Sequence, residues 1–320
     1  MPSPKISVLI PTRNYARYLP EALDSVLNQD HSDFEILISD NASTDGTPEV
    51  TARYAARDHR IRVHRHEMDL GMVQNFNWCL HQARGEYIKY LFGDDRLVHP
   101  GALRQLAGFL DENPSAVLAA TARQVIDDAS QPMTVWNDFC PEGLHQGTRV
   151  IARCLQANAN LVGEPSAVMF RQEQARAGFD PEYRQLVDLE LWLRLLEKGD
   201  FFYSPAVLSS FRRHGSQQSE INREDRIALV EAARLAWKHL DRCSLTIREK
   251  RDLVFRHAHA LRHQSRHNSE ALQLRQEMSA WLGKAAYVSA WCRYRLLRLG
   301  RDIRKPVRNA GVGWPQPPQH

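Results

Sequence analysis

The sequence predicts an α/β protein, a mixed sheet of largely parallel βαβ units flanked by helices, followed by a smaller helical appendage. Three observations predict it. Between Ile6 and Ile126, short β-branched runs and helix-period apolar stripes alternate four times with short connections, the signature of βαβ units with right-handed crossovers. The segments after the first, second and fourth strand-like runs are polar: Pro11-Thr-Arg-Asn14, Asp40-Asn-Ala-Ser-Thr-Asp-Gly46 and Gly93-Asp94-Asp95. In such a sheet all three fall on the ligand-binding edge. The charge then reverses along the chain: roughly 22 basic and 29 acidic residues up to Glu220, roughly 20 and 9 after it.

Each element has its own signal. Ile6 to Ile10 is β-branched and stopped by Pro11, a buried strand. Leu19, Ala22, Leu23, Val26 and Leu27 repeat at helical spacing, with Pro20 near the start. Phe34 to Ser39 is a second strand. Thr47-Pro48 reads as an N-cap followed by Pro at the first helical position, opening a helix to about Arg57. Ile61 to His66 is a third strand, and Val73, Phe76, Asn77 and Leu80 share a helix face. Glu86 to Phe92 is the fourth strand. Pro100 opens a helix carrying Leu103, Leu106, Ala107 and Leu110, and Ala116 to Ile126 is strand again. Residues 128–165 read as irregular. Ala167 to Arg171 is a short strand, Asp188 to Lys198 a helix with Trp192 inward, and Phe201 to Phe211 extended. From about Arg223 the chain turns helical. Thr246 and Glu249 form a capping-box pair, and Asn268 caps another helix. The expected division is an α/β domain over 1–220, a helical region over 221–305 and a disordered tail over 306–320.

Composition narrows the class. The chain has 320 residues, 43% hydrophobic and 25% charged, as expected of one large α/β domain with an appendage. The N-terminus does not resemble a signal peptide, and no run approaches the ~18 apolar residues of a membrane span. Five widely spaced cysteines without a CxxC predict a reduced, cytoplasmic chain with no structural zinc. The basic residues form no nucleic-acid recognition module. Between Trp281 and Arg308, however, basic residues mix with Trp281, Tyr287, Trp291, Tyr294 and leucines. That mixture predicts peripheral contact of residues 281–308 with an anionic membrane surface, the competing reading being a core-packing helix with a basic outer face.

Several residues carry chemistry. Asp40, at a strand end, can accept a hydrogen bond from a nucleobase imide N–H; the bland reading is an Asx-turn. Asp94 and Asp95 would face opposite ways on a regular strand, but Gly93 gives a turn that aims both at one ligand. A divalent cation on a diphosphate needs only one or two protein carboxylates, because phosphate and water supply the rest. Asp188 stands at a helix start, where the dipole favours a carboxylate in any case. Gly71 lets the backbone approach a ligand or simply enters a helix. His214 can reach a transition metal or a phosphate, or be an ordinary surface histidine. His259, His263 and His267, four apart, read as one solvated helix face.

Together these pieces resemble family 2 glycosyltransferases of the GT-A fold. The resemblance rests on Ser7-Val-Leu-Ile-Pro-Thr-Arg-Asn14, Asp40-Asn-Ala-Ser-Thr-Asp-Gly-Thr47, Leu70-Gly71 with Asn75-Phe-Asn77, and Ala83-Arg-Gly-Glu-Tyr-Ile88 with Gly93-Asp-Asp95. It continues through Gly163-Glu-Pro-Ser166, Asp188 with Leu191-Trp-Leu-Arg194, and Arg213-His214 with Ser216. It implies inverting transfer from a nucleotide-diphosphate sugar, UDP- or dTDP-linked, to a hydroxyl of a glycan or lipid-linked glycan, with Mn²⁺ or Mg²⁺. It further implies that Pro11, Thr12 and Arg13 line the nucleotide site and that Asp40 holds the base. Gly71, Gln74 and Asn75 lie near base and diphosphate. Asp94 and Asp95 match the Asp-x-Asp region that contacts ribose and metal, Asp188 the catalytic base, and His214 a histidine reaching metal or diphosphate. The chain departs from the pattern once: Phe92 stands where the first Asp of Asp-x-Asp is usual. Two alternatives compete, a sugar nucleotidyltransferase and a non-catalytic sugar-nucleotide-binding component. The first needs a Gly-rich basic loop after strand one, which Pro11-Thr-Arg-Asn14 is not.

Overall fold

The computed structural model describes residues 3–215 and 227–302, with side chains as far as residue 292. In order, the elements are β1 (Ile6–Thr12), α1 (Leu19–Leu27), β2 (Phe34–Asp40), α2 (Thr47–Ala55), β3 (Ile61–Arg65), α3 (Met72–Gln82), β4 (Tyr87–Tyr90), α4 (Ala102–Glu112) and β5 (Ala116–Ile126). Then come β6 (Pro132–Trp136), β7 (Gly143–His145), α5 (Gly147–Ala157), β8 (Val168–Arg171), α6 (Val187–Leu196) and β9 (Asp200–Arg212). The last three helices are α7 (Ile227–Lys238), α8 (Ile247–Ala260) and α9 (Ser269–Asp302).

Among the described residues the strands form one mixed sheet in the order β3-β2-β1-β4-β8-β5-β9-β7, with β6 pairing on β5. β3, β2, β1 and β4 are parallel. β8 runs against both β4 and β5, and β9 runs with β5. The carboxyl ends of β1, β2, β4 and β9 therefore open on one edge, and the entry to β8 joins them there.

The core explains why the parallel half forms. Every residue of β1 and β2 is buried, so these strands read as continuous apolar runs rather than alternating ones, as expected for a sheet covered on both faces. Ile6, Val8 and Ile10 pack in one cluster with Leu19, Leu23 and Val26 of α1 and Leu103, Leu106 and Leu110 of α4. Each such side chain contributes about 1.5–3 kcal/mol on burial. Gly85, at the approach to β4, is forced by contact: a Cβ there would lie 2.4 Å from the backbone nitrogen of Ser7.

The chain divides into two compact units, residues 1–150 with 160–220, and residues 151–159 with 221–320. The second unit is helical, and its capping box is complete. Thr246 Oγ1 accepts from the Glu249 N–H at 3.3 Å, and Glu249 accepts from the Thr246 N–H at 2.8 Å. Asn268 accepts from the Ala271 N–H at 2.9 Å, as its position predicts.

The structure corrects several local expectations. Residues 128–165 hold β6, β7 and α5. β6 is almost entirely exposed, so it lacks the alternation that marks a strand. Thr47 does not cap α2: the helix starts after Gly46, and Thr47 Oγ1 instead accepts from the Tyr15 N–H at 3.1 Å. β4 ends at Tyr90, so Phe92 lies beyond the strand. His259, His263 and His267 do not share a helix face, because α8 ends at Ala260 and a short 3₁₀ turn follows. Ser216, the expected helix start near Arg223, residues 303–308 of the basic stretch and the tail over 306–320 lie outside the described residues.

Candidate active site

The parallel register brings the first site residues together. Pro11 pairs with Ser39 and Thr12 with Asp40, and all four are buried. Asp40 ends β2 with its carboxylate out of solvent. Oδ1 accepts from the Ser43 N–H at 3.0 Å, Arg65 Nε lies 3.6 Å from Oδ2, and Oδ2 has no hydrogen-bond partner. A buried acceptor without a donor is costly, so this oxygen is an available acceptor at the sheet edge.

A short polar relay closes that end. Asn41 Nδ2 donates to Asp69 Oδ1 at 2.7 Å, and Asn41 Oδ1 accepts from the Leu70 N–H at 2.8 Å. Asp69 Oδ1 also accepts from the Gly71 N–H at 2.8 Å, and Arg13 pairs with Asp69. Gly71 takes φ 79°, a left-handed conformation that favours glycine, and it leads into α3. Gln74 is exposed on the first turn of α3. Asn75 points inward: Oδ1 accepts from Ser39 Oγ at 2.6 Å and Nδ2 donates to the Ser39 carbonyl at 3.3 Å. It ties α3 to β2.

The carboxylate pair sits in a tight turn in which the Asp95 N–H reaches the Phe92 carbonyl at 3.0 Å. Gly93 is needed because a Cβ would come within 2.9 Å of Thr12 Oγ1. Asp94 and Asp95 are 5% and 2% exposed. Asp94 Oδ2 lies 3.0 Å from His214 Nε2, so the histidine from beyond β9 meets the turn from beyond β4. Burial, and then the charge of Asp94, raise the Asp95 carboxyl well above the ordinary range. Burial and the same two carboxylates raise the Tyr15 phenol, and the Tyr15 ring meets His214 edge-on at 6.1 Å. The Phe92 side chain turns away from these polar groups. It stacks on Phe76 at 5.1 Å, beside Tyr90 and Phe179, so an apolar contact occupies the position of the missing acid.

Sequence reasoning missed the residue that holds the turn. Arg212 is 1% exposed. Its backbone N–H donates to Asp95 Oδ1 at 2.9 Å and its Nε to the Asp94 carbonyl at 2.6 Å. Its remaining nitrogens reach Glu21 Oε2 at 2.5 Å, Ser130 Oγ at 2.7 Å and the Asp127 carbonyl at 3.1 Å. An arginine next to Arg213-His214 reads as surface in sequence; only its burial distinguishes it.

On the other side of the edge, Asp188 lies in the first turn of α6 and is half-buried. Its Oδ1 accepts from the Leu189 N–H at 2.7 Å and its Oδ2 from Asn160 Nδ2 at 2.9 Å. Burial is the main influence, and the charge of Glu164 adds to it. Although these hydrogen bonds oppose them, Asp188 is pushed up to about 7. Glu164 is itself paired with the buried Arg123, which also reaches Asp138 at 2.6 Å. Glu164 acts electrostatically on both Asp95 and Asp188, raising each after the larger effect of burial. Ser166 joins the two sides, its Oγ accepting from the Phe92 N–H at 3.2 Å.

The residues fit a divalent cation in part. Asp95 Oδ2 is buried without a hydrogen-bond partner, and the Asp94–His214 pair offers a carboxylate and an imidazole beside it. Among the described residues no group of three or more His, Cys, Asp or Glu side chains could hold a metal ion by itself. The donor set therefore suits a cation that takes its other ligands from a bound diphosphate and water.

Comparison with known proteins bears on the family and the fold. The chain is 30% identical over 196 residues to the putative teichuronic acid biosynthesis glycosyltransferase TuaG of Bacillus subtilis (strain 168), covering 61% of this chain and 73% of that one. The structure of S. aureus TarS 1–349 in complex with UDP-GlcNAc superposes with a TM-score of 0.62 at 17% identity, over 89% of this chain and 79% of that one. The mannosyltransferase PcManGT from Pyrobaculum calidifontis, in complex with GDP-Man and Mn²⁺, superposes with a TM-score of 0.55 at 18% identity, over 94% and 82%. These structural likenesses establish the GT-A fold. Residues 7–173 match Glycosyl transferase family 2, and the chain belongs to that family.

Proposed function

We propose that this glycosyltransferase is inverting and metal-dependent, moving a sugar from a UDP- or dTDP-sugar to a hydroxyl of a glycan or lipid-linked glycan in cell-surface polysaccharide synthesis. The observation that carries the reading is the buried Asp94–Asp95 turn, held to His214 at 3.0 Å and fastened through Phe92 and Ser166 to the loop whose Asn160 orients Asp188, a carboxyl pushed up to about 7. A general base works best with a pKa near the operating pH. The UDP-GlcNAc bound by TarS supports a uridine donor, and the biosynthetic assignment of TuaG supports a surface polysaccharide. The Mn²⁺ of PcManGT supports a cation.

In this reading Asp40 accepts the nucleobase imide N–H, while Pro11, Thr12 and Arg13 line the nucleotide. Gly71 and Gln74 face the diphosphate, with Asn75 fixing α3 beneath them. Asp94 and Asp95, with His214, hold Mn²⁺ or Mg²⁺, and Asp94 is the ribose contact. A cation held there neutralises charge on the departing diphosphate. Asp188 takes the proton of the acceptor hydroxyl as that oxygen attacks the anomeric carbon from the face opposite the nucleotide. One displacement inverts the configuration.

The test is hydrolysis and transfer across a panel of nucleotide sugars, with EDTA, Mn²⁺ or Mg²⁺. Turnover of a uridine or thymidine sugar that EDTA suppresses and the cation restores is expected. Full turnover in EDTA would remove the metal from the reading. Donor binding without any turnover would favour the non-catalytic alternative.

A further inference from the structure

α9 is broken. At Gly283 φ is 69°, which ends one helical stretch and begins another. Beside the break, within the C-terminal unit, lies a cleft of about 480 Å³. Ile247, Arg248 and Arg251 line it from the start of α8, and Leu282, Lys284 and Ser289 from α9. None of the lining residues is acidic. Arg248, Arg251 and Lys284 are exposed, so three cations border one cavity.

The rim is apolar. Ile247 and Val288 are each 59% exposed, Trp281 39% and Trp291 37%. Lys284, Val288 and Trp291 stand at i, i+4 and i+7, on one helix face. Exposed tryptophans beside basic side chains match the boundary between lipid headgroups and acyl chains, where an amphipathic ring has one end apolar and one end wet. A free anion would need the cations and not the rim. An apolar protein partner would need the rim and not the cations. An anionic bilayer uses both.

We propose that this cleft docks the protein on an anionic lipid bilayer. A headgroup phosphate sits among Arg248, Arg251 and Lys284, and Ile247, Val288, Trp281 and Trp291 enter the boundary with the acyl chains. The surface stands apart from the catalytic reading; where both hold, docking delivers the enzyme to a lipid-linked acceptor.

The test is flotation of the full chain with phosphatidylcholine vesicles, with and without phosphatidylglycerol, at low and high salt. Binding is expected only with phosphatidylglycerol and should weaken as salt rises. Arg248→Ser/Arg251→Ser should lower partitioning about tenfold or more, since each basic residue near an anionic surface contributes substantially. Arg262→Ser/Arg266→Ser removes the same charge from exposed sites elsewhere in the unit and should lower it less than about threefold. Circular dichroism and donor hydrolysis should be unchanged in both variants. Failure of the wild type to float with anionic vesicles at low salt overturns the proposal. Equal loss in the two double variants also overturns it, since the attraction would then be diffuse. So does thermal stabilisation by inorganic phosphate without vesicle binding, which would mark a free-anion site.

Discussion

Asn160 donates to Oδ2 of Asp188 at 2.9 Å, while its own oxygen accepts the N–H groups of Val162 and Gly163, each at 3.1 Å. The amide that orients the proposed base is therefore itself fully engaged, and Trp192 Nε1 secures the same loop through the Gly163 carbonyl at 3.0 Å. Asn160→Ala should lower kcat by about one to two orders of magnitude through lost orientation, with donor affinity unchanged. Steady-state kinetics with parallel donor titration checks this; a variant that loses donor affinity instead would make Asn160 structural.

The proton balance at Asp188 gives a pH signature. Burial, then the Glu164 charge, place it at about 7. A base must be deprotonated to act, so kcat/KM should rise with pH to about 7 and then level off. Glu164→Gln removes a raising influence and should move the acidic limb to lower pH. Asp188→Asn should cost about 10²–10⁴ in turnover and leave donor binding intact. A profile flat through neutrality in the wild type would take the role of base away from Asp188.

Arg212 and Glu21 should set how well the Asp94–Asp95 turn holds a cation. Arg212→Lys keeps the charge but loses the rigid fork that bonds several acceptors at once. The cation concentration for half-maximal activity should rise about tenfold, with nucleotide binding in the absence of metal unchanged. Glu21→Gln should shift it in the same direction by less, because Glu21 is partly exposed. Isothermal titration with Mn²⁺ in the presence of UDP checks both; unchanged cation affinity in Arg212→Lys argues against the clamp.

Lys89 offers a test that reads stability rather than turnover. It is fully buried in β4, and its ammonium donates to the Ser166 and Val168 carbonyls. Burial lowers it from 10.5 to about 7, with Asp95 opposing. Between those values the unfolded chain binds the proton that the folded chain releases, so stability rises with pH across that window. Relative to Lys89→Met, the wild type should gain up to about 1.4 kcal/mol per pH unit from about 7 toward 10. Urea unfolding of both chains at several pH values reads the gap, and a pH-independent gap refutes the buried-amine account.

The parallel half of the sheet and its polar edge were legible because their signals are periodic. Strand ends and the carboxylates after them can be counted along a βαβ chain: Asp40 ends β2, Asp94 and Asp95 follow β4, and His214 reaches Asp94 from beyond β9. What escaped was set by burial and long-range contact. Arg212, Asn160 and Lys89 have ordinary surface identities, and nothing local marks them as interior. β6 and β7 are short and largely exposed, so neither alternates. Asn75 sits in a motif whose resemblance implies a ligand contact, and its tie to Ser39, which fixes α3 on β2, is a long-range contact that the motif does not show.

The reversed direction of β8 has a consequence for layout. Because β8 runs against β4, the loop entering it lies beside the turn leaving β4, and the Phe92 N–H to Ser166 Oγ bond fastens them together. A parallel β8 would have sent the Gly163–Ser166 loop, and the Asn160 anchor with it, to the far rim. As built, the turn leaving β4 and the loop that carries Gly163 to Ser166 stand one hydrogen bond apart, with Asn160 and Asp188 next along that loop's contacts. In the proposed mechanism the turn that grips the donor and the loop beside the proton acceptor are therefore neighbours tied by one hydrogen bond.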